Sequence, residues 1–143
     1  MIEWKNMNYE AKKYDRLIGT PGFSDTILKN HFTLYEGYVT NVNKLAETIE
    51  KAPAENKLST PEWNELKRRF GWEWNGMRLH ELYFENMTKS QQKTQNLSGK
   101  AGSGSAGKLK TVLEKQFGSY DNWLKEFKAT GTMRGIGWTI LYR

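Results

Sequence analysis

The chain has 143 residues, 37% of them hydrophobic and 13% aromatic, with a net charge of +6. That length suits one domain, or two small layers sharing a core, and six Trp, seven Tyr and six Phe can bury enough area to be stable without covalent staples. The absence of cysteine excludes disulfides, zinc–thiolate sites and cysteine nucleophiles together.

The first ~25 residues read as an irregular arm closed by the turn signal Gly19-Thr20-Pro21-Gly22, after which Ser24 or Asp25 can cap a helix. From Thr26 to about Glu50, Ile27, Leu28, His31, Leu34, Tyr35, Tyr38, Val39, Val42, Leu45, Ala46 and Ile49 recur at helical spacing. Lys51-Ala52-Pro53 ends this long amphipathic helix, because proline cannot continue the hydrogen-bond ladder. A hydroxyl cap, an early proline and an acidic first turn at Ser59-Thr60-Pro61-Glu62 start a second helix. Its apolar phase runs through Trp63, Leu66, Phe70, Met77, His80, Phe84 and Met87, and Gly71 and Gly76 interrupt it. A glycine inside a helix costs about 1 kcal/mol against alanine, which predicts a kink or a close packing contact.

Residues 96–107 form a Gly/Ser-rich linker between an N-terminal arm and hairpin, residues 1–95, and an incomplete C-terminal domain, residues 108–143. That domain opens with two short helices, one holding Leu109, Val112, Leu113 and Phe117, the other Trp123, Leu124 and Phe127. Ile136-Gly137-Trp138-Thr139-Ile140-Leu141-Tyr142-Arg143 reads as a strand, which needs pairing from another chain or from further sequence.

No apolar run approaches the roughly 20 residues of a membrane-spanning helix, and Met1-Ile2-Glu3-Trp4-Lys5 lacks an apolar signal core. A soluble, cytoplasmic protein with no membrane partner is expected. The basic clusters Lys12-Lys13 and Lys67-Arg68-Arg69 can attract a small anion or nucleic acid, or simply form a solvated face. Interspersed acidic residues favour the solvated face, and nucleic acid is not an expected partner.

The only two histidines, His31 and His80, fall on the apolar stripes of their helices. Either alone is more often a hydrogen-bonded core residue than a ligand. Together they differ, because a short turn makes the helices antiparallel and each histidine lies about 20 residues, or roughly 30 Å, from that turn. Two inward imidazoles at one depth suit iron, manganese, zinc or copper. A third ligand is needed, and Glu73, Glu81 and Glu85 are nearby without being well placed. Tyr38, seven residues after His31, can gate a channel or donate a proton, or be a buried aromatic with its hydroxyl at the rim. The GxG within Arg134-Gly135-Ile136-Gly137-Trp138 precedes a strand, so a dinucleotide loop is excluded.

Three segments are similar to the iron/manganese superoxide dismutases: Asn30-His31-Phe32 through Tyr38-Val39-Thr40-Asn41-Val42-Asn43-Lys44-Leu45, then His80-Glu81-Leu82-Tyr83-Phe84, then Phe117-Gly118-Ser119 through Phe127 with Gly135-Ile136-Gly137-Trp138. The resemblance implies a mainly α chain. A long antiparallel helical hairpin is followed by the helical start and first strand of a C-terminal α/β domain, the rest of the sheet being absent. It implies iron or manganese held by His31 and His80, superoxide as substrate, Tyr38 as the tyrosine at the substrate funnel, Trp138 and Arg134 in the outer sphere, and a homo-oligomer. The family's remaining ligands, an Asp and a His, fall beyond Arg143. Its metal histidine stands eight residues before the tyrosine, where this chain has Asn30; helical phase selects His31. A second histidine of the family aligns with Leu34, and its solvent-binding glutamine with Gly76 or Arg134. The competing expectation is a truncated or degenerate, non-catalytic relative serving as a helical, oligomerising scaffold.

Overall fold

The computed structural model describes residues 8–55, 57–89 and 105–142. Residues 1–7 of the arm and most of the expected linker lie outside the described residues. Contacts divide the chain into two compact units, residues 1–89 and 90–143.

The first unit is the helical hairpin. Helix α1 spans Asp25–Lys51, capped by Ser24, whose hydroxyl accepts the Ile27 amide at 3.2 Å. Helix α2 spans Pro61–Asn86, with Thr60 accepting the Trp63 amide at 3.2 Å and Pro61 in the first turn, where its missing N–H costs nothing. Leu28, Tyr35, Val39, Val42, Ala46 and Ile49 form the buried stripe of α1. Glu73, Gly76, Met77, His80, Glu81 and Phe84 form that of α2. The helices run antiparallel, since Asn41 reaches Glu73 while His31 meets His80 nearer the open end.

The arm is tied across the hairpin instead of hanging free. The Tyr9 amide and carbonyl are both held by the Asn43 side chain, at 2.8 and 2.9 Å. A single 3-10 turn, Asp15–Leu17, buries Leu17, and Tyr14 joins the core cluster of Tyr35, Val39, Val42, Met77 and Phe84. Arg16 donates to the Phe84 carbonyl near the end of α2 at 3.2 Å.

The second unit contains α3 (Ser105–Phe117) and α4 (Tyr120–Gly131). Helix α3 thus begins inside the segment that composition assigns to a linker. Gly118, at φ 79°, makes the left-handed step between the helices that a side chain resists. Ser119 then caps α4 through the Asn122 amide at 3.0 Å. Trp123 stacks between Tyr120 and Phe127, centroids 5.1 and 5.5 Å away.

The strand expected over residues 136–143 is not formed: no strand is present among the described residues, and residues 138–142 carry no regular structure. Extended backbone is stable as a strand only when a neighbour takes up its amides and carbonyls.

Candidate metal centre

His31 lies in the second turn of α1 and His80 in the last two turns of α2. Their rings sit 4.8 Å apart, centroid to centroid, and nearly perpendicular at 82°. Phe84 closes against His31 at 5.0 Å and Tyr83 at 5.4 Å. Tyr38 lies 5.2 Å from His80. The helical phases and the antiparallel packing therefore bring His31, Tyr38 and His80 into one cluster.

His80 is 4% exposed, and its Nδ1 lies 2.6 Å from the Gly76 carbonyl one turn earlier. A carbonyl only accepts, so Nδ1 carries the proton and Nε2 carries the lone pair. Burial lowers the pKa of His31 below its ordinary value, and the nearby His80 lowers it further. Burial also lowers that of His80, against the opposing pull of the Gly76 carbonyl. Burial thus favours the neutral form of both rings, the form in which imidazole binds a metal.

Metal–imidazole bonds of about 2.1 Å place the centroids of two rings on one cation roughly 5 Å apart, close to the separation seen. The centroid separation is thus in the range that two ligands of one cation show. No group of three or more His, Asp or Glu that could hold a metal exists among the described residues. The three acidic candidates are engaged elsewhere. Glu73 is paired with Arg69 at 2.5 Å and takes an Asn41 amide hydrogen at 3.2 Å. Glu81 is bound by Arg78 at 2.7 Å and Lys12 at 3.3 Å. Glu85 is bound by Lys12 at 2.7 Å.

Asn30 and Leu34, at the family's two histidine positions, are both exposed. Arg134 and Trp138 belong to the second unit, where Arg134 is exposed and Trp138, 39% exposed, lines a groove with Phe117, Trp123 and Phe127. Sequence reasoning misses Tyr35, four residues after His31. It is fully buried, accepts the Lys12 amide at 3.0 Å and donates to Glu81 at 3.2 Å. Helical spacing from His31 is the signal that could have found it.

Two imidazoles on facing helices are donors of the kind found in helical-bundle metal sites, which need at least one further ligand. A family model described as iron/manganese superoxide dismutases, C-terminal domain, matches residues 105–143. The chain is 33% identical to an iron superoxide dismutase of Saccharolobus solfataricus over 126 residues, 85% of this chain and 56% of that protein. It is 29% identical to an iron superoxide dismutase of Sulfolobus acidocaldarius, across 99% of this chain and 65% of the other. A manganese superoxide dismutase of Haloarcula marismortui is also 29% identical, across 99% and 64%. The chain belongs to the iron/manganese superoxide dismutase family. It spans between about half and two thirds of the length of these curated relatives.

Proposed function

We propose that the chain supplies the helical-hairpin half of an iron- or manganese-dependent superoxide dismutase site, with His31 and His80 as two of the metal ligands. The observation that carries this is the 4.8 Å approach of the two imidazole rings, whose burial favours the neutral form. Iron or manganese, cycling between its +2 and +3 states when bound, would supply the one-electron chemistry that turns one superoxide into O₂ and the next into peroxide. The Gly76 carbonyl holds the proton on His80 Nδ1 and so turns Nε2 to the site. Tyr38, half-buried beside His80, is the hydroxyl that delivers protons. Trp138 and Arg134 are outer-sphere groups in this reading, and the net charge of +6 draws in the superoxide anion in a salt-dependent way. The protein works as a homo-oligomer in the cytoplasm. Among the described residues, no helix is long and apolar enough to cross a membrane.

The chain contains two histidines, so ¹⁵N-histidine labelling reports on nothing else. Titration with Zn²⁺ should move both rings together along one binding curve, and His31→Ala should abolish the response of His80. Independent shifts, or none, would refute shared ligation. For the dismutase reading, the protein isolated with its natural partners should carry iron or manganese in stoichiometric amount, and metal analysis finding neither would end it.

A second reading, a degenerate and non-catalytic scaffold, is favoured by the engagement of Glu73, Glu81 and Glu85 with cations, no group of three or more candidate ligands being present among the described residues. Dismutation by the 143-residue chain above the rate of free metal would dispose of it.

A further inference from the structure

Glycine is a costly residue for the interior of a helix, yet Gly76 sits buried in α2 beside the two histidines. A Cβ built there would run into the Tyr38 ring, meeting Cδ1 and Cε1 and reaching Cγ at 2.8 Å, inside the 3.0 Å that real Cβ atoms respect. Gly71, five residues earlier in the same helix, has no atom of the described residues within 4 Å of where its Cβ would lie. The two glycines therefore differ in kind: Gly71 leaves space, whereas the space at Gly76 is filled by one aromatic ring.

The same residue acts on His80 from its other end. Its carbonyl lies 2.6 Å from Nδ1, which fixes the tautomer and turns the ring. The Tyr38 ring that rests on the bare α-carbon is 5.2 Å from the ring that this carbonyl orients. One peptide unit thus sets two side chains relative to each other.

We propose that Gly76 is a positioning residue: its missing side chain seats the Tyr38 ring on the α2 backbone while its carbonyl aims His80, so that the tyrosine and the imidazole are held in register by a single residue. This rests on the reading of His80 and Tyr38 as site residues, and it predicts that in this chain, with the Tyr38 ring seated as it is, a methyl group at position 76 separates them.

The test compares Gly76→Ala, Gly71→Ala, Tyr38→Ala and the double variant Gly76→Ala with Tyr38→Ala, all as the full chain. In the metal-free protein, nuclear Overhauser contacts between the Tyr38 and His80 rings, together with the ¹⁵N shifts of His80, report the pose and the tautomer. Zn²⁺ titration reports the use of the ring. Gly76→Ala should lose the ring–ring contact and weaken Zn²⁺ binding about 10-fold, the usual effect of disturbing a ligand's supporting contacts. Gly71→Ala should change neither. The double variant should return to the Zn²⁺ affinity of Tyr38→Ala alone, because the added methyl then meets no ring. Retention of both the contact and the affinity in Gly76→Ala would overturn the proposal. If Gly76→Ala does not fold, folding of the double variant supports the ring clash, and failure of both overturns it. A wild-type chain in which Zn²⁺ moves neither ring would refute the metal reading instead, and the metal-free ring contacts would still decide the role of Gly76.

Discussion

Tyr14 and Tyr35 lie side by side in the hairpin core, ring centroids 5.7 Å apart and both almost fully buried, yet loss of the hydroxyl should act on them in opposite directions. The Tyr35 hydroxyl accepts the Lys12 amide and donates to Glu81, so it joins the arm to α2 through α1. Tyr35→Phe leaves that amide without its acceptor and takes one donor from a carboxylate still bound by Arg78 and Lys12. Two hydrogen bonds at about 1 kcal/mol each give a loss of about 2 kcal/mol. The Tyr14 hydroxyl is buried with no hydrogen-bond partner among the described residues. Burying such a group costs about 1–3 kcal/mol, so Tyr14→Phe should stabilise the hairpin by about 1 kcal/mol. Ring packing persists in both variants, Tyr14 on Phe84 at 4.7 Å and Tyr35 on Phe84 at 6.1 Å. For a unit of this size, 1 kcal/mol moves Tm by roughly 4–8 °C. Thermal unfolding at neutral pH, followed by far-UV circular dichroism, should therefore show Tyr35→Phe well below wild type and Tyr14→Phe above it. Equal losses for the two variants would mean that the Tyr14 hydroxyl is satisfied, and the reasoning fails.

Alkaline pH offers a second view of Tyr14, whose phenol is pushed up from 10.0 to about 12, first by burial and then by its neighbour Tyr35. Unfolded chains release this proton near the ordinary value while the native state keeps it. The stability it contributes is therefore present below about pH 10 and lost as the pH rises towards 12. Urea midpoints across that range should fall less steeply in Tyr14→Phe than in wild type. Moving the histidine back one residue, by Asn30→His with His31→Ala, should weaken Zn²⁺ binding, because a step of about 100° turns the ring onto the exposed face; Zn²⁺ affinity retained in that variant would show that position 30 can reach the site. Arg69→Leu strands Glu73, which is 1% exposed and, among the described residues, keeps the Asn41 contact alone. A loss of about 2 kcal/mol in urea unfolding is expected, and no change would mean that the Arg69 ion pair does not stabilise the buried carboxylate.

What the amino-acid sequence determines by itself is local. The caps at Ser24 and Thr60, the stop at Pro53 and the buried stripes of α1 and α2 depend on neighbours three or four residues away, so they are legible in one dimension. The common depth of His31 and His80 also follows, because a short turn and a constant rise per residue leave little freedom. The terminal segment reads as a strand on composition, but strand formation depends on a pairing partner, which no local pattern supplies. The same limit explains what is invisible at the site. Nothing near Tyr9 announces that Asn43 will clasp both its backbone groups, and nothing near Tyr35 announces Lys12 and Glu81. Gly71 and Gly76 look alike in sequence; only packing distinguishes them, because the Tyr38 ring arrives from the other helix. Tertiary structure decides such contacts because they join residues far apart in the chain, where the geometry of one segment carries no information about the other until both are packed.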